Sequence, residues 1–363
     1  MKNPSPKNGI MSISPYVAGK SEIAGNNGKI IKLSSNENSL GASPLAIKAV
    51  IEGAENIIRY PDSGSLELRN AIAKRYNIPA EQVVCGNGSD ELIGLLVNGY
   101  AGEGDEVLFS EYGFLMYKIY TQAAGATPVM AKENNMCADI DALLAKVTER
   151  TKILFIANPN NPTGSYLTTE ELNRLRAELP EHILLVIDAA YSEYVDLPDY
   201  SNGFNLVHTT ENTVMLRTFS KIYGLAALRI GWAYCPKNIA DVINRIRGPF
   251  NVSAIAQSAG IAAIQDQKFL DYVKTHNNSW LEWVSGALTE IGLQVYDSIA
   301  NFVLVEFPKN NKNAKAANDF LLSKGIIVRE VSGYGLNEHL RITIGTKEEN
   351  EALVAALKEF MAS

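Results

Sequence analysis

The sequence predicts an α/β protein: a large domain with a mostly parallel sheet covered by helices on both faces, plus a smaller α+β domain. Three observations predict it. Short apolar runs alternate with segments of helical spacing from about Leu45 to Phe219, a βαβ rhythm that gives parallel pairing. Those runs lack polar alternation, so both of their faces are expected to be buried. After Trp232 the texture changes to long helical stretches followed by a second group of apolar runs. A chain of 363 residues also exceeds what one core usually serves.

Taken in order, residues 1–35 are rich in Pro, Gly, Ser and Asn and carry one apolar run, "KIIKL"; they read as an extended arm that packs on other parts of the chain. "AIKAVIEGA" and "SLELRNAIAKRY" have helical spacing. Strand and helix then alternate as "QVVCG", "SDELIGLLVNGY", "DEVLFS", "GFLMYKIYTQAAG" and "TPVMA". A helix, "DIDALLAKVT", precedes the strand "KILFIAN", the helix "TTEELNRLRAEL" and the strands "HILLVID" and "TVMLRTF". Helices follow around 238–247, 253–265 and 268–291, then "NFVLVEF", the helix "KAANDFLLSKG", "IIVRE", "LRITIG" and a last helix from about Lys347. These divide the chain into an arm contributing to the small domain (1–45), a large domain (46–247) and a small C-terminal domain (248–363).

Composition narrows the function classes. The chain is 46% hydrophobic and 20% charged with a net charge of −7, ordinary for a globular protein and unfavourable for a nucleic-acid or anionic-membrane surface. Cys85, Cys137 and Cys235 are far apart and form no CxxC, and the four histidines show no ligand spacing, so neither a disulfide framework nor a metal site is expected. The start, "MKNPSPKNGI", lacks an apolar core, and no run approaches a membrane span, which points to a reducing, cytoplasmic setting.

Open α/β sheets bind ligands beyond the carboxyl ends of their strands. After "QVVCG", Gly86, Asn87, Gly88 and Ser89 lead into a helix whose N-terminus suits an anion, although Ser89 or Asp90 could equally be a plain cap. The third glycine of a dinucleotide fingerprint is absent. After "KILFIA" comes "NPNNPTG", a turn by composition, whose two Asn-Pro steps fix the backbone, admit cis bonds and place the amide of Asn161. After "HILLVI", Asp188 ends an apolar strand with Tyr191 three residues on; a buried carboxylate needs a cation or donor, either a protein group or a protonated ring nitrogen. After "TVMLRT" come Ser220 and Lys221, with Arg229 beyond.

Phosphate donors, an amide, a carboxylate and an amine at strand ends fit one ligand, pyridoxal 5′-phosphate. Lys221 would hold its aldehyde as a Schiff base, and Asp188 would keep the ring nitrogen protonated. Asn161 and Tyr191 would bind the ring hydroxyl oxygen, while Gly88, Ser89, Asp90, Ser220 and Arg229 would surround the phosphate. A neutral Lys221, favoured by burial and by Arg229, would serve as the general base.

The motifs "SPYVAGKS", "LSSNENSLG", "YPDSGSLELRNAIA", "GNGSDELI", "EYGFLMY", "NPNNPTG", "DAAYSEY", "SKIYGLAALRIG", "PFNVSAIAQ" and "YGLNEHLRITIGT" span nearly the whole chain. By them the sequence resembles the fold-type I, class I/II pyridoxal-phosphate aminotransferases and, within them, the histidinol-phosphate aminotransferases. The resemblance implies that Tyr112 stacks on the cofactor ring and that Tyr60 reaches the cofactor phosphate of a second subunit, which makes a homodimer necessary. It implies that Arg341, supported by Arg329, binds the anionic group of the substrate, with Tyr16 and Asn38 in segments lining the pocket. The reaction implied moves an amino group from a small-molecule donor, histidinol phosphate, to 2-oxoglutarate. An aromatic amino-acid aminotransferase, a dual-specificity enzyme, a related decarboxylase and a non-catalytic ligand sensor on the same fold are the rival expectations. Ala189, Ser39 and Ala227 depart from the family pattern without removing a catalytic group.

Overall fold

The computed structural model describes residues 4–7, 9–16, 19–23 and 30–363; parts of the N-terminal arm, including Val17 and Ala18 of "SPYVAGKS", lie outside the described residues. Its largest sheet has seven strands: β1 (Val83–Gly86), β2 (Glu106–Ser110), β3 (Thr127–Ala131), β4 (Thr151–Ala157), β5 (Leu184–Asp188), β6 (Thr213–Thr218) and β7 (Gly231–Tyr234). They lie in the order β1-β7-β6-β5-β4-β2-β3. Every pairing is parallel except those of β7, which runs antiparallel to β6 and β1.

Burial on both faces explains the apolar texture of these strands. All residues of β1, β2, β5, β6 and β7 are buried. Side chains alternate across β6: Val214 and Leu216 pack with Leu92, Ile93 and Leu96 of the helix Ser89–Tyr100. Met215 packs on the other face with Trp232, Ala256 and Ala259, the last two from the helix Ala254–Gln265. Burying an aromatic such as Trp232, 1% exposed, contributes roughly 2–3 kcal/mol.

The second sheet is antiparallel and has the order β8-β9-β11-β10, from β8 (Gln294–Tyr296), β9 (Phe302–Glu306), β10 (Arg329–Glu330) and β11 (His339–Thr343). Val303, Val305, Leu340 and Ile342 share a core with Val284, Leu288, Leu353 and Leu357 from flanking helices. Leu33 joins that core, because Ile31–Lys32 pairs in parallel with Ile326–Ile327. The next residues of the arm, Ser34 to Asn36, bond both to Arg341 and Thr343 of β11 and to Lys221 and Tyr191, which follow β6 and β5.

Local differences from the sequence reading have physical causes. "DIDALLAKVT" is helical only over Ile140–Leu144, because the N–H groups of Lys146 and Val147 turn to the carbonyls of Leu143 and Leu144, three residues back, and the Thr148 N–H is then taken by the Thr151 hydroxyl at 2.9 Å. "IIVRE" splits, Ile326–Ile327 joining the arm and Arg329–Glu330 joining β11. Beyond the predicted elements lie β7, β8, the helix Phe204–Thr209 and the small hairpin Glu133–Asn134/Cys137–Ala138.

Candidate active site

The strand order brings the carboxyl ends of β1, β6, β5 and β4 to one edge of the sheet. Because β7 runs the other way, its amino end, carrying Arg229, arrives at that same edge. A cavity of about 390 Å³ opens there, lined by Ser89, Asp90, Asn161, Asp188, Tyr191, Ser220, Lys221 and Arg229, with Tyr16, Phe114 and Met116 on its sides. Nearly every residue singled out at a strand end in the sequence therefore faces one space.

At the end of β1, Gly88 is the N-cap of the helix Ser89–Tyr100 and supplies no side-chain cap, so neither Ser89 nor Asp90 caps it. Gly88 has φ 83°, ψ 162°, a backbone region open in practice only to glycine. A Cβ there would lie 2.6 Å from Arg229 Nη2, so the missing side chain is what admits the guanidinium. Arg229 also donates to the Ser220 hydroxyl at 3.3 Å. The result is a cradle of a helix N-terminus, a hydroxyl and a cation. What Asp90 can give an anion is its backbone N–H, since one carboxylate oxygen accepts from the Tyr120 hydroxyl at 3.0 Å while burial raises its pKa.

In the loop after β4, both Asn158–Pro159 and Asn161–Pro162 are cis. Asn158 and Asn160 serve the loop itself: Asn158 bonds to Leu167 and to the Ser201 carbonyl, and Asn160 donates to the Thr163 hydroxyl. Asn161 alone of the three lines the cavity. Its Oδ1 accepts from Arg341, so what it has left to offer is its NH2 group.

Asp188 is 6% exposed. Its Oδ2 accepts from the Tyr117 hydroxyl at 2.9 Å, whereas the buried Oδ1 has no partner among the described residues. Burial raises its pKa to about 6, against the opposing pull of Tyr117 and the Ala190 N–H. The Tyr191 hydroxyl accepts from Asn36 at 3.0 Å, and burial raises its phenol to about 12. Lys221 donates to the Ser35 carbonyl at 3.3 Å, with its ammonium 5.5 Å from the Tyr191 ring centre. Burial first, and the Arg341 charge second, lower its pKa to about 7; Arg229 lowers it as the sequence suggested, though by less than Arg341.

Several predicted residues lie elsewhere. Arg341 is 7% exposed and sits behind the wall, donating to Asn161 and, at 2.8 Å, to the Ser34 carbonyl. Arg329, paired across the strands with Arg341, lines a neighbouring cavity of about 500 Å³ and lies 5.8 Å from the ring centre of Tyr16, which borders both cavities. Asn38 does not line the cavity: its side chain donates to the Ile222 carbonyl and accepts from the Leu40 N–H. Tyr112 packs with Leu304, Val331 and Leu336, and Phe114 occupies the cavity wall instead. Tyr60 is 82% exposed, stacked on Phe250 at 4.5 Å, and is not among the lining residues.

The sequence reading passed over the arm's contacts: the Ser34 carbonyl on Arg341, the Ser35 carbonyl on Lys221 and the Asn36 amide on Tyr191. Tyr117 was not singled out in the sequence either, although it and Tyr120 stand three apart on the helix Leu115–Ala124. Among the described residues no group of His, Cys, Asp or Glu gathers as a metal site would require.

The family profile described as aminotransferase class I and II matches residues 28–357. A histidinol-phosphate aminotransferase of Paramagnetospirillum magneticum is 57% identical over 364 residues, and one of Rhodopseudomonas palustris is 49% identical over 363, each alignment covering 100% of both chains. Among solved structures, a Sinorhizobium meliloti histidinol-phosphate aminotransferase in complex with pyridoxal-5′-phosphate superposes with a TM-score of 0.86 at 30% identity over 92% of each chain. A Thermus thermophilus aspartate aminotransferase variant has a TM-score of 0.82 at 22% identity over 92% of each chain, a likeness of fold alone.

Proposed function

The chain belongs to the class I and II aminotransferase family, and from that premise we propose that it is a pyridoxal-phosphate transaminase exchanging an amino group between histidinol phosphate and 2-oxoglutarate. The observation that carries this is the 57% identity to a histidinol-phosphate aminotransferase over the full length of both chains. The alternatives, aromatic-acid transamination and a non-catalytic sensor, are not favoured by any of the relatives.

The residues present fit the cofactor. Asp188 has an unpartnered buried oxygen for a ring N–H, and Gly88 leaves room for Arg229 beside a helix N-terminus for a phosphate. Asn161 and Tyr191 have an amide and a hydroxyl for the ring oxygen. When bound, the cofactor supplies an aldehyde that captures the amino group and a ring that accepts electrons.

The remaining chemistry falls to the chain. Lys221, with its pKa near 7, can be neutral and move a proton from the amine-bearing carbon of the donor. Asp188 holds the proton on the ring nitrogen, in an interior where water does not compete. Phe114, on the cavity wall, supplies the aromatic surface that the family resemblance assigned to Tyr112. Arg341 pairs with the substrate's anion, aided by Arg329 and Tyr16. The neighbouring cavity is cationic, with Lys20, Lys118 and Arg329 against Glu330, which supports a donor bearing a doubly charged phosphate over one bearing a single carboxylate.

We infer a homodimer in which Tyr60 serves the partner's site. In support, Tyr60 is exposed and shares a surface concavity with Ile57, Ile58 and Phe250, which are 69%, 84% and 44% exposed. Among the described residues no helix is long and apolar enough to cross a membrane, and the three cysteines are free, which supports the cytoplasmic placement.

The deciding experiment compares histidinol phosphate, phenylalanine and tyrosine as donors to 2-oxoglutarate. A higher kcat/KM for histidinol phosphate is expected; preference for the aromatic acids would overturn the substrate assignment.

A further inference from the structure

Tyr117 has no exposed surface and is fixed on three sides. Its ring stacks on Phe155 of β4, with centres 4.6 Å apart and planes at 8°, and meets Phe114 edge-on at 5.9 Å. The only polar atom of that side chain donates to Asp188 Oδ2 at 2.9 Å. The other carboxylate oxygen, Oδ1, is buried without a partner.

We propose that Tyr117 is a positioning residue for the cofactor: donating from behind, it holds the Asp188 carboxylate so that Oδ1 faces the protonated ring nitrogen. This rests on the cofactor assignment made above. A terminal carboxylate torsion is broad and two-fold, so a buried Asp left to itself has no fixed aim. One hydrogen bond to one oxygen from a ring locked between Phe155 and Phe114 fixes it. The same bond favours the ionised carboxylate against burial, and a pyridinium needs an ionised partner. Tyr117 remains a donor throughout, because burial and the Asp188 charge raise its phenol well above the ordinary value. Tyr117 touches neither cofactor nor substrate and acts only through Asp188.

The test removes the two ends of this relay separately. Cofactor-free wild type, Tyr117→Phe, Asp188→Asn and the double variant are titrated with pyridoxal 5′-phosphate and with its deaza analogue, in which CH replaces the ring nitrogen. Wild type should prefer the natural cofactor. Tyr117→Phe keeps the stacked ring and should reduce that preference about three- to tenfold, the size of one ordinary net hydrogen bond acting through Asp188. Affinity for the deaza analogue should stay unchanged, while the cofactor-free protein should unfold at a somewhat lower Tm because a buried Asp188 oxygen loses its donor. In the Asp188→Asn background Tyr117→Phe should have no further effect on the preference. Undiminished preference in Tyr117→Phe, or equal loss of affinity for both ligands, would overturn the proposal and leave Tyr117 a packing residue. If wild type itself does not distinguish the two ligands, the assignment of Asp188 to the ring nitrogen fails first, and the role of Tyr117 with it.

Discussion

The guanidinium of Arg341 donates both to Asn161 Oδ1 and to the Ser34 carbonyl, the latter at 2.8 Å. One side chain from the smaller sheet therefore ties together the loop after β4 and the N-terminal arm. Its Nε is buried without a partner, so part of its donor capacity is not used by protein groups among the described residues.

From this arrangement, Arg341→Lys is expected to raise KM for both donor and acceptor, with kcat/KM falling by about two orders of magnitude, because an ammonium cannot reproduce a planar fork and leaves a buried anion poorly paired. Steady-state kinetics with each substrate varied in turn checks this. An unchanged KM for both would remove Arg341 from substrate binding.

The amine of Lys221 gives a pH prediction. Its pKa is lowered to about 7 by burial and then by Arg341. A protonated amine cannot attack an aldehyde, so covalent capture of pyridoxal phosphate by the cofactor-free protein should speed up as pH rises through about 7 and then level off. An unperturbed lysine would go on accelerating toward ~10.4. Stopped-flow absorbance follows the capture, and Arg341→Met should move the midpoint upward by removing the neighbouring positive charge.

Much of this site was legible in the sequence because strand ends are local signals. Asp188 and Asn161 come just after uninterrupted apolar runs and Lys221 after the mostly apolar "TVMLRTF", and parallel pairing gathers such ends at one edge. The role of Arg229 was only half legible: its chemistry was plain, but its place depends on β7 running antiparallel, and "GWAY" is too short to announce a direction. The arm was the least legible part. Ser34, Ser35 and Asn36 act through backbone carbonyls and one amide, and their partners lie more than 150 positions away. Nothing local distinguishes Asn36, which reaches Tyr191, from Asn38, which bonds to the Ile222 carbonyl.

Gly88 should tolerate no side chain. Gly88→Ala meets both a φ of 83° and a contact of 2.6 Å with Arg229 Nη2. The backbone strain alone costs about 1–3 kcal/mol. Displacing the guanidinium should in addition weaken cofactor binding at least ~10-fold, since a charge-assisted contact to phosphate is lost. Calorimetric unfolding of the cofactor-free protein reports the first effect and cofactor titration the second. Normal cofactor affinity in Gly88→Ala would mean that the cradle is not the phosphate site.

Tyr60 allows the proposed subunit arrangement to be tested without a structure of the assembly. Its ring is 82% exposed and stacks on Phe250, an orientation that suits a task outside its own chain. In a two-fold dimer each site would then combine Lys221 from one chain with Tyr60 from the other. Co-expressing a Lys221→Ala chain with a Tyr60→Ala chain, each with its own tag, yields mixed dimers in which one site carries both defects and the other carries neither. Those mixed dimers should regain activity that neither parent homodimer has, approaching half that of wild type per dimer. If Tyr60 instead served its own chain, every site in the mixed dimer would carry one defect and activity would stay at the level of the parents. Light scattering on the purified mixture confirms that the species assayed contains two chains, so that absence of rescue reports on Tyr60 rather than on failed assembly.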